Sequence, residues 1–228
     1  MFHYAVLINT MTVILGSLLG TFLRRGIPDR IKTVMFQSVG LITLGIGISM
    51  VLKSSDLLLI LLSLLAGGIV GELIDIEGKL QGIANAVEKS EGPTSFAKGF
   101  VTASVLFTVG PMTIIGSLDI GLRGNADLIL VKSLMDFISS IILSSLYGLG
   151  VLMSAVWVFL FQGSLVAFSG ALEFLSRPEY LNDFTGLGGL MILAIGIRIL
   201  ELRDIKVGNY LPALFFMPLV NFIALMLQ

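Results

Sequence analysis

The feature that most constrains this chain is a series of uncharged apolar runs, each close to the length that crosses a lipid bilayer. Two of them, 4–23 and 33–52, contain no Asp, Glu, Lys or Arg. A membrane-spanning helix needs about 20 mostly apolar residues. Inside hydrocarbon its backbone polar groups must also be paired within the segment. The sequence therefore predicts an all-α protein that spans the membrane several times.

The number of spans depends on one long run. Residues 137–172 are uncharged, which is too long for one helix and too short for two, and Gly148 and Gly150 interrupt the run. Two spans fit if the first begins near Leu128, which places Lys132 and Asp136 within the membrane. About eight spans are then predicted, at 4–23, 33–52, 57–74, 99–118, 128–147, 151–172, 183–202 and 207–228.

Composition agrees with this class and excludes others. Only 13% of the 228 residues are charged, and the mean hydropathy is +1.01. A soluble domain of this length needs far more charge. The net charge of −1 gives no reason to expect a nucleic-acid partner, and with no cysteine there is neither a disulfide framework nor a thiolate metal site. No cofactor is expected.

The basic residues predict the orientation. They are concentrated in alternate loops, and Lys and Arg favour the cytoplasmic side of a membrane. Both termini are therefore expected outside, with the basic loops in the cytoplasm. The longest cytoplasmic loop, 75–97, carries apolar residues at helical spacing and predicts an interfacial helix. The basic loop residues are Arg24, Arg25, Arg30 and Lys32, then Lys79, Lys89 and Lys98, then Arg203 and Lys206.

Two stretches of the chain resemble each other. "GLITLGIGI" from Gly40 and "GLMILAIGI" from Gly189 agree at six of nine positions. This predicts two copies of a three-helix unit, 4–74 and 151–228, flanking a central helix pair at 99–147. The copies lie an odd number of spans apart, so they run in opposite directions, as in many secondary transporters. The alternative is ordinary helix packing, since glycines recur in membrane helices.

The fourth span contains a break. Proline cannot donate a backbone hydrogen bond and crowds the carbonyl four residues earlier. "VGPMT" therefore predicts a helix that stops near Val109 and restarts after Pro111. The freed groups must be buried in protein or line a wet cavity. The free N–H groups would suit an anion, and the free carbonyls would suit a cation. The residues from Asp119 to Asn125 are predicted to form the connection to the fifth span, where the glycines fit a tight re-entry; the alternative is an ordinary polar outer loop.

The fifth span carries Lys132 and Asp136, one helical turn apart, at a spacing suited to a salt bridge. Ser133, Ser140 and Ser144 extend a polar stripe on that helix. Ionisable residues inside a membrane are costly, and a functional role is the default hypothesis. The alternative is a structural ion pair with serines at helix contacts. Asn9 and Gln162 are predicted to form interhelical hydrogen bonds.

Glu72 and Asn221 occupy matching positions in the two predicted repeats, beside spans interrupted by Gly or Pro. They complete the candidate site. The residues predicted to bind the solute or ion are Gly110, Pro111, Met112, Thr113, Ser117, Asp119, Lys132, Ser133, Asp136, Ser140, Glu72 and Asn221.

The stretches "VGPMTIIGSLDIGLRGN", "KSLMD" and "KVGNYLPAL" resemble bacterial integral membrane proteins of domain-of-unknown-function family 554. The resemblance extends over essentially the whole chain. It implies a multi-span inner-membrane protein and implies no activity.

These features predict a secondary transporter of a small ion or compact polar solute. An ion channel and a structural or partner-binding membrane protein are the alternatives. An enzyme is not expected, because no span contains a histidine and there is no cysteine. The expected partners are the lipid bilayer and the solute. The small-residue faces Gly16/Gly20 and Gly67/Gly71 are also compatible with a homodimer.

Overall fold

The computed structural model describes residues 3–24, 28–87 and 93–226, and this part of the chain forms helices joined by short turns. Two of the helices are short 3-10 helices, Glu173–Ser176 and Val207–Tyr210. The α-helices are α1 (Tyr4–Arg24), α2 (Asp29–Val51), α3 (Leu57–Ile74), α4 (Ile76–Val87), α5 (Pro93–Thr108), α6 (Pro111–Arg123), α7 (Asp127–Tyr147), α8 (Leu149–Ala167), α9 (Pro178–Ile199) and α10 (Ala213–Met226).

Seven segments of the described chain are long and apolar enough to cross a membrane. Counting the bent pair α5–α6 as one further span gives up to eight. The predicted all-α membrane class is confirmed. Local signals set the helix ends. Asp56 caps α3 by accepting a hydrogen bond from the Leu58 amide at 2.8 Å. Gly148, at φ 69°, separates α7 from α8, where the sequence predicts a break.

Several helix boundaries differ from the predicted spans: α2 begins at Asp29 rather than 33, and α5 and α6 together cover 93–123 rather than 99–118. Helix α8 ends at Ala167 rather than 172, and α9 begins at Pro178 rather than 183. Hydropathy indicates where the chain enters the hydrocarbon. The proline in the first turn of α9 allows that helix to begin earlier than the hydrocarbon does. Pro212 divides the last predicted span into the 3-10 helix Val207–Tyr210 and α10. The predicted helix in the 75–97 loop is confirmed as α4.

The chain divides into two compact units, residues 1–35 with 80–172 and residues 36–79 with 173–228. In the first unit, α1 lies along α7 and runs in the same direction. Asn9 contacts Asp136, while Gly16 and Gly20 lie against the Phe137 and Ile141 carbonyls farther along. The glycines allow the two backbones to approach closely, as small residues do between membrane helices.

This packing occupies the surfaces considered for a homodimer. Gly16 and Gly20 are covered by α7, and in the second unit Gly67 and Gly71 lie against Ala213 and Asn209. The two small-residue faces therefore mediate contacts within the chain. A homodimer stays a prediction, and it would need another surface.

We expect Gly16→Ala to lower the free energy of unfolding by about 1–3 kcal/mol, the usual cost of overpacking. A Cβ at this position would lie 2.5 Å from the Phe137 carbonyl oxygen, which belongs to the α7 backbone and cannot rotate away. Gly45→Ala is the matched control, because no atom lies within 4 Å of a Cβ there. It should be neutral or stabilising, since alanine favours helices. Unfolding by SDS in mixed micelles measures both, and equal losses would contradict the packing argument.

The bent pair α5–α6 extends along the full length of α7. Near its beginning, Gly99 lies against Tyr147, the last residue of α7. Near its other end, Gly116 lies against Ile129, close to the first turn of α7. An α-helix of this length measures about 31 Å, similar to the hydrocarbon core. The pair is therefore one broken crossing rather than a re-entrant loop, in agreement with eight spans.

In the second unit, α2 packs against α9 with the opposite direction. Gly40 lies against Leu200, whereas Gly47 lies against Gly189 and Leu193. Residues later in α2 thus contact residues earlier in α9. The predicted antiparallel direction of these two spans is confirmed. The rotation that would relate the two three-helix units, and the division of the chain into those repeats, stay predictions.

A network of buried charged and polar groups joins the start of α4 to the end of α9. The Arg198 guanidinium lies 2.6 Å from Glu77, and these residues are 5% and 1% exposed. Glu77 also accepts a hydrogen bond from the Gly208 amide at 2.9 Å, and its own amide donates to Asn209 at 2.8 Å. Glu77 therefore fixes the turn at 207–210 through charge and through backbone contacts. We call Glu77, Arg198, Gly208 and Asn209 the α4–α9 network.

Candidate functional site

The first part of the site is the break between α5 and α6. Helix α5 ends at Thr108 and α6 begins at Pro111, and the two segments are bent by 58°. Gly110 is extended, with φ −69° and ψ 145°, and Pro111 occupies the first turn of α6. The prediction of a helix that stops near Val109 and restarts after Pro111 is confirmed. Carbonyls at the end of α5 and N–H groups at the start of α6 are left without intrahelical partners.

Thr113 spans the break. Its hydroxyl donates to the Phe107 carbonyl at 3.0 Å, and its amide donates to the Gly110 carbonyl at 2.9 Å. The Thr113 side chain is fully buried. One side chain therefore holds the end of α5 against the start of α6, so the break has a defined geometry.

The second part of the site is the ion pair on α7. The Lys132 ammonium donates to Asp136 Oδ2, and both residues are 6% exposed. Asn9 of α1 donates its amide N–H to the same carboxylate oxygen at 3.2 Å. The salt bridge that the spacing predicts is confirmed, as is the interhelical hydrogen bond of Asn9. Asp136 is the tenth of the 21 residues of α7, which places it near the middle of that span.

Phe107 joins the two parts. Its carbonyl accepts the Thr113 hydrogen bond, and its ring centroid lies 5.9 Å from Lys132 Nζ. That separation is within the range of a cation–π interaction. The break also lies midway along the broken span, between Phe96 and Arg123. The structure thus brings the predicted break and the predicted ion pair to one place near the middle of both spans.

The serine stripe is partly a packing surface. Ser133 and Ser140 donate to the carbonyls of Ile129 and Phe137 at 2.7 and 2.8 Å, and Ser144 donates to the carbonyl of Ser140. Ser140 and Ser144 also lie against the α1 glycines. These hydroxyls are satisfied by their own helix, as is common for serine in membrane helices. The stripe therefore does not by itself indicate water.

Other buried polar groups in this unit are unsatisfied. Within the described residues, no hydrogen-bond partner is present for Asn9 Oδ1, for Ser117 Oγ, or for either polar atom of the Gln162 side chain. The interhelical hydrogen bond predicted for Gln162 is therefore absent from this part of the chain. Gly121 on α6 lies against the Val166 carbonyl on α8. Ser117 and Gln162 each lie one turn earlier on these two helices, so they are at the same level. Buried polar atoms of this kind are commonly satisfied by water or a ligand.

The remaining predicted residues lie elsewhere. Gly110 and Met112 are half-buried at the break. Asp119 pairs with Arg123 at 2.5 Å near the end of α6. Glu72 and Asn221 belong to the second unit, where Glu72 is exposed and pairs with Lys206 at 3.1 Å. Asn221 is fully buried, and neither polar atom of its side chain has a partner in the described residues.

Two site residues are missing from the predicted set. Phe107 gives no signal in an apolar run, because only the fold shows that its ring faces a charge. Asn9 is recognisable as a lone amide in an uncharged span, but the sequence does not identify its partner. Among the described residues, no group of three or more His, Cys, Asp or Glu side chains could hold a metal ion.

Comparison with known proteins gives consistent results. An uncharacterized membrane protein of Bacillus subtilis, YdfK, is 31% identical over 224 residues, covering 96% of each chain. The uncharacterized Escherichia coli protein YqgA is 32% identical over 220 residues, covering 93% of this chain and 94% of its own. No solved structure matches the chain significantly. A family model described as "Protein of unknown function (DUF554)" matches residues 4–222, and the chain therefore belongs to the DUF554 family of membrane proteins.

Proposed function

We propose that this protein is a secondary transporter of a small ion or compact polar solute, working by alternating access in the bacterial inner membrane. The observation that carries the proposal is the junction at Phe107, where a broken span meets a buried ion pair. Secondary transporters place their sites near the bilayer midplane and commonly build them from discontinuous helices.

The energetics support a functional role for the pair. Charged side chains within the membrane are rare and mark substrate or proton pathways. Lys132 and Asp136 sit on a span of mostly apolar residues, and an apolar pair of similar volume would hold the helices equally well. Retaining two charges at this depth therefore has no advantage for packing alone.

The size of the site supports a small solute. Its polar inventory is one carboxylate, one ammonium, the side chains of Asn9, Thr113 and Ser117, and the backbone at Gly110. A large amphipathic molecule would need an extensive apolar cavity with several polar anchors. The chain has no cysteine and its one histidine is His3, so the proposal does not include an enzymatic activity.

A channel is the alternative with the same site. It would share the broken span and the charges and would differ in conducting without a conformational cycle. A structural or partner-binding role would leave the ion pair as a packing device. Transport measurements separate all three.

The test uses the purified full chain in liposomes. Simple ions and metabolites are first screened for thermal stabilisation, and the stabilising solute is then radiolabelled. We expect saturable uptake with counterflow, and we expect Gly110→Ala/Pro111→Ala to lose at least tenfold in rate because a continuous α5–α6 removes the break. Pro178→Ala is the matched control, since Pro178 also begins a helix but interrupts no span.

Single-channel currents without counterflow would favour a channel. If neither counterflow nor single-channel currents are observed, the transport proposal is wrong. A Gly110→Ala/Pro111→Ala variant that transports at the wild-type rate would remove the break from the mechanism.

A further inference from the structure

Gln162 of α8 is a buried amide that forms no hydrogen bond. Its side chain is fully buried, and neither Nε2 nor Oε1 has a partner in the described residues. Ser117 of α6 is also fully buried, and its hydroxyl has no partner in the same part of the chain. Leaving buried donors and acceptors unpaired is costly, so proteins seldom keep such groups unless something binds them.

The packing of α8 against the broken span places these two side chains opposite each other. Gly150, near the start of α8, lies against the α5 backbone, whereas Gly121 of α6 lies against the Val166 carbonyl near the end of α8. The broken span therefore runs in the same direction as α8. Ser117 and Gln162 each lie four residues before the Gly121–Val166 contact, so they lie on the facing sides of α6 and α8.

The chemistry of the two side chains defines what can bind between them. The amide of Gln162 offers a donor and an acceptor side by side, and the hydroxyl of Ser117 can act as either. A ligand that pairs with an amide edge through two hydrogen bonds must carry a donor beside an acceptor. Primary amides and ureas have this arrangement, whereas a carboxylate lacks the donor and an ammonium lacks the acceptor.

The charges of this unit favour a solute with no net charge. Lys132 and Asp136 of α7 neutralise each other, and α8 has no charged residue. A solute with a net charge would therefore be buried without a counter-charge, which is strongly unfavourable. The other described charged side chains of α1, α5, α6 and α7 lie within two turns of a helix end, and they are Arg24, Lys98, Asp119, Arg123 and Asp127.

We infer that Ser117 and Gln162 bind a compact neutral solute of the amide or urea type. The inference rests on the proposed transport function, for which it names the substrate class. Because both side chains are fully buried, the solute reaches them when α6 moves relative to α8. The break provides a hinge for this movement, since Gly110 is extended and no atom lies within 4 Å of a Cβ placed there.

The test measures binding of acetamide to the full chain in detergent by saturation-transfer NMR, with empty micelles as the blank. We expect a signal from the acetamide methyl group that saturates with concentration. N,N-Dimethylacetamide lacks the N–H donors and acetate carries a charge. Each should bind about tenfold more weakly than acetamide, because each leaves part of the Gln162 amide unpaired.

Gln162→Leu is the decisive variant, because it removes the amide and keeps a similar volume. The amide has no partner in the described residues, so the melting temperature should be unchanged or higher. Acetamide binding should weaken about tenfold, and in Ser117→Ala it should weaken about fivefold, through the loss of two hydrogen bonds and of one. Gln37→Leu is the matched control, since Gln37 is an exposed amide on α2, and it should bind acetamide as the wild type does.

A structural role for Gln162 predicts the opposite result, a lower melting temperature with unchanged binding. If Gln162→Leu does not fold, Ser117→Ala provides the test, because it removes a single unpartnered hydroxyl. Absence of saturable binding to the wild type would mean that water alone satisfies these side chains and would overturn the inference. Wild-type affinity in a folded Gln162→Leu or in Ser117→Ala would overturn it as well.

Failure of this inference is distinguishable from failure of the transport proposal. Counterflow of a different solute in liposomes, without acetamide binding, would retain transport and exclude the amide site. Saturable binding that is lost in Gln162→Leu supports the site even if labelled acetamide shows no counterflow, and it is then the transport proposal that is wrong.

Discussion

Asp136→Asn is expected to lower the free energy of unfolding by about 3–5 kcal/mol, the usual cost of removing one partner of a buried ion pair. The variant leaves the Lys132 ammonium 6% exposed among helices that supply no other described carboxylate at its position. The hydrogen bond from Asn9 loses its charged acceptor in the same change. Unfolding by SDS in mixed micelles measures the loss.

The double replacement Lys132→Met/Asp136→Leu separates a structural role from a functional one. Apolar residues of similar volume commonly restore or exceed the stability of a buried pair. We therefore expect the double variant to unfold like the wild type and to show no counterflow in liposomes. A double variant that folds and transports would remove the pair from the site and would leave the broken span as the sole candidate.

Much of the fold follows from local signals in the sequence. The uncharged runs predict the spans because hydrocarbon excludes charge and unpaired backbone groups. The breaks at Gly148 and at Gly110–Pro111 are predictable because each residue acts on its own backbone, through a left-handed conformation in one case and a missing N–H in the other. These features require no knowledge of what packs against them.

The site is only partly predictable, because its assembly depends on contacts distant in sequence. Lys132 and Asp136 lie one turn apart, so helical spacing predicts their pair. Asn9 reaches Asp136 from 127 residues away, and Phe107 reaches Lys132 from another helix. A lone amide in an apolar span indicates that some partner exists, whereas a phenylalanine there gives no signal.

The α4–α9 network was not predicted at all, for a similar reason. Glu77 lies in a segment whose spacing predicts an interfacial helix, and Arg198 lies in the last turn of a span, where basic residues are common. Either charge alone is consistent with a hydrated surface position. Only the fold shows that they face each other and are nearly inaccessible.

Arg198→Met is expected to lower the free energy of unfolding by about 3–5 kcal/mol, because it leaves the Glu77 carboxylate buried with a hydrogen bond from Gly208 and no counter-charge. Arg198 also lies 2.8 Å from Asp204, but Asp204 is 74% exposed and remains hydrated without it. The loss therefore arises at Glu77. SDS unfolding measures it, and limited proteolysis around 200–210 should become faster as the turn at 207–210 loses its attachment.

Lys206→Met is the matched control within the same region. Lys206 and Glu72 form an ion pair whose side chains are 55% and 60% exposed, and solvent screens such a pair strongly. The hydrogen bond and charge of Glu72 raise the pKa of Lys206, so the lysine is charged at neutral pH and the pair is formed there. The control should nevertheless leave the unfolding free energy nearly unchanged.

Glu77→Met/Arg198→Met should recover most of the stability that Arg198→Met loses, because neither charge is then buried alone. Equal losses in Arg198→Met and Lys206→Met would show that burial does not govern this network, since the two ion pairs differ most clearly in their exposure to solvent.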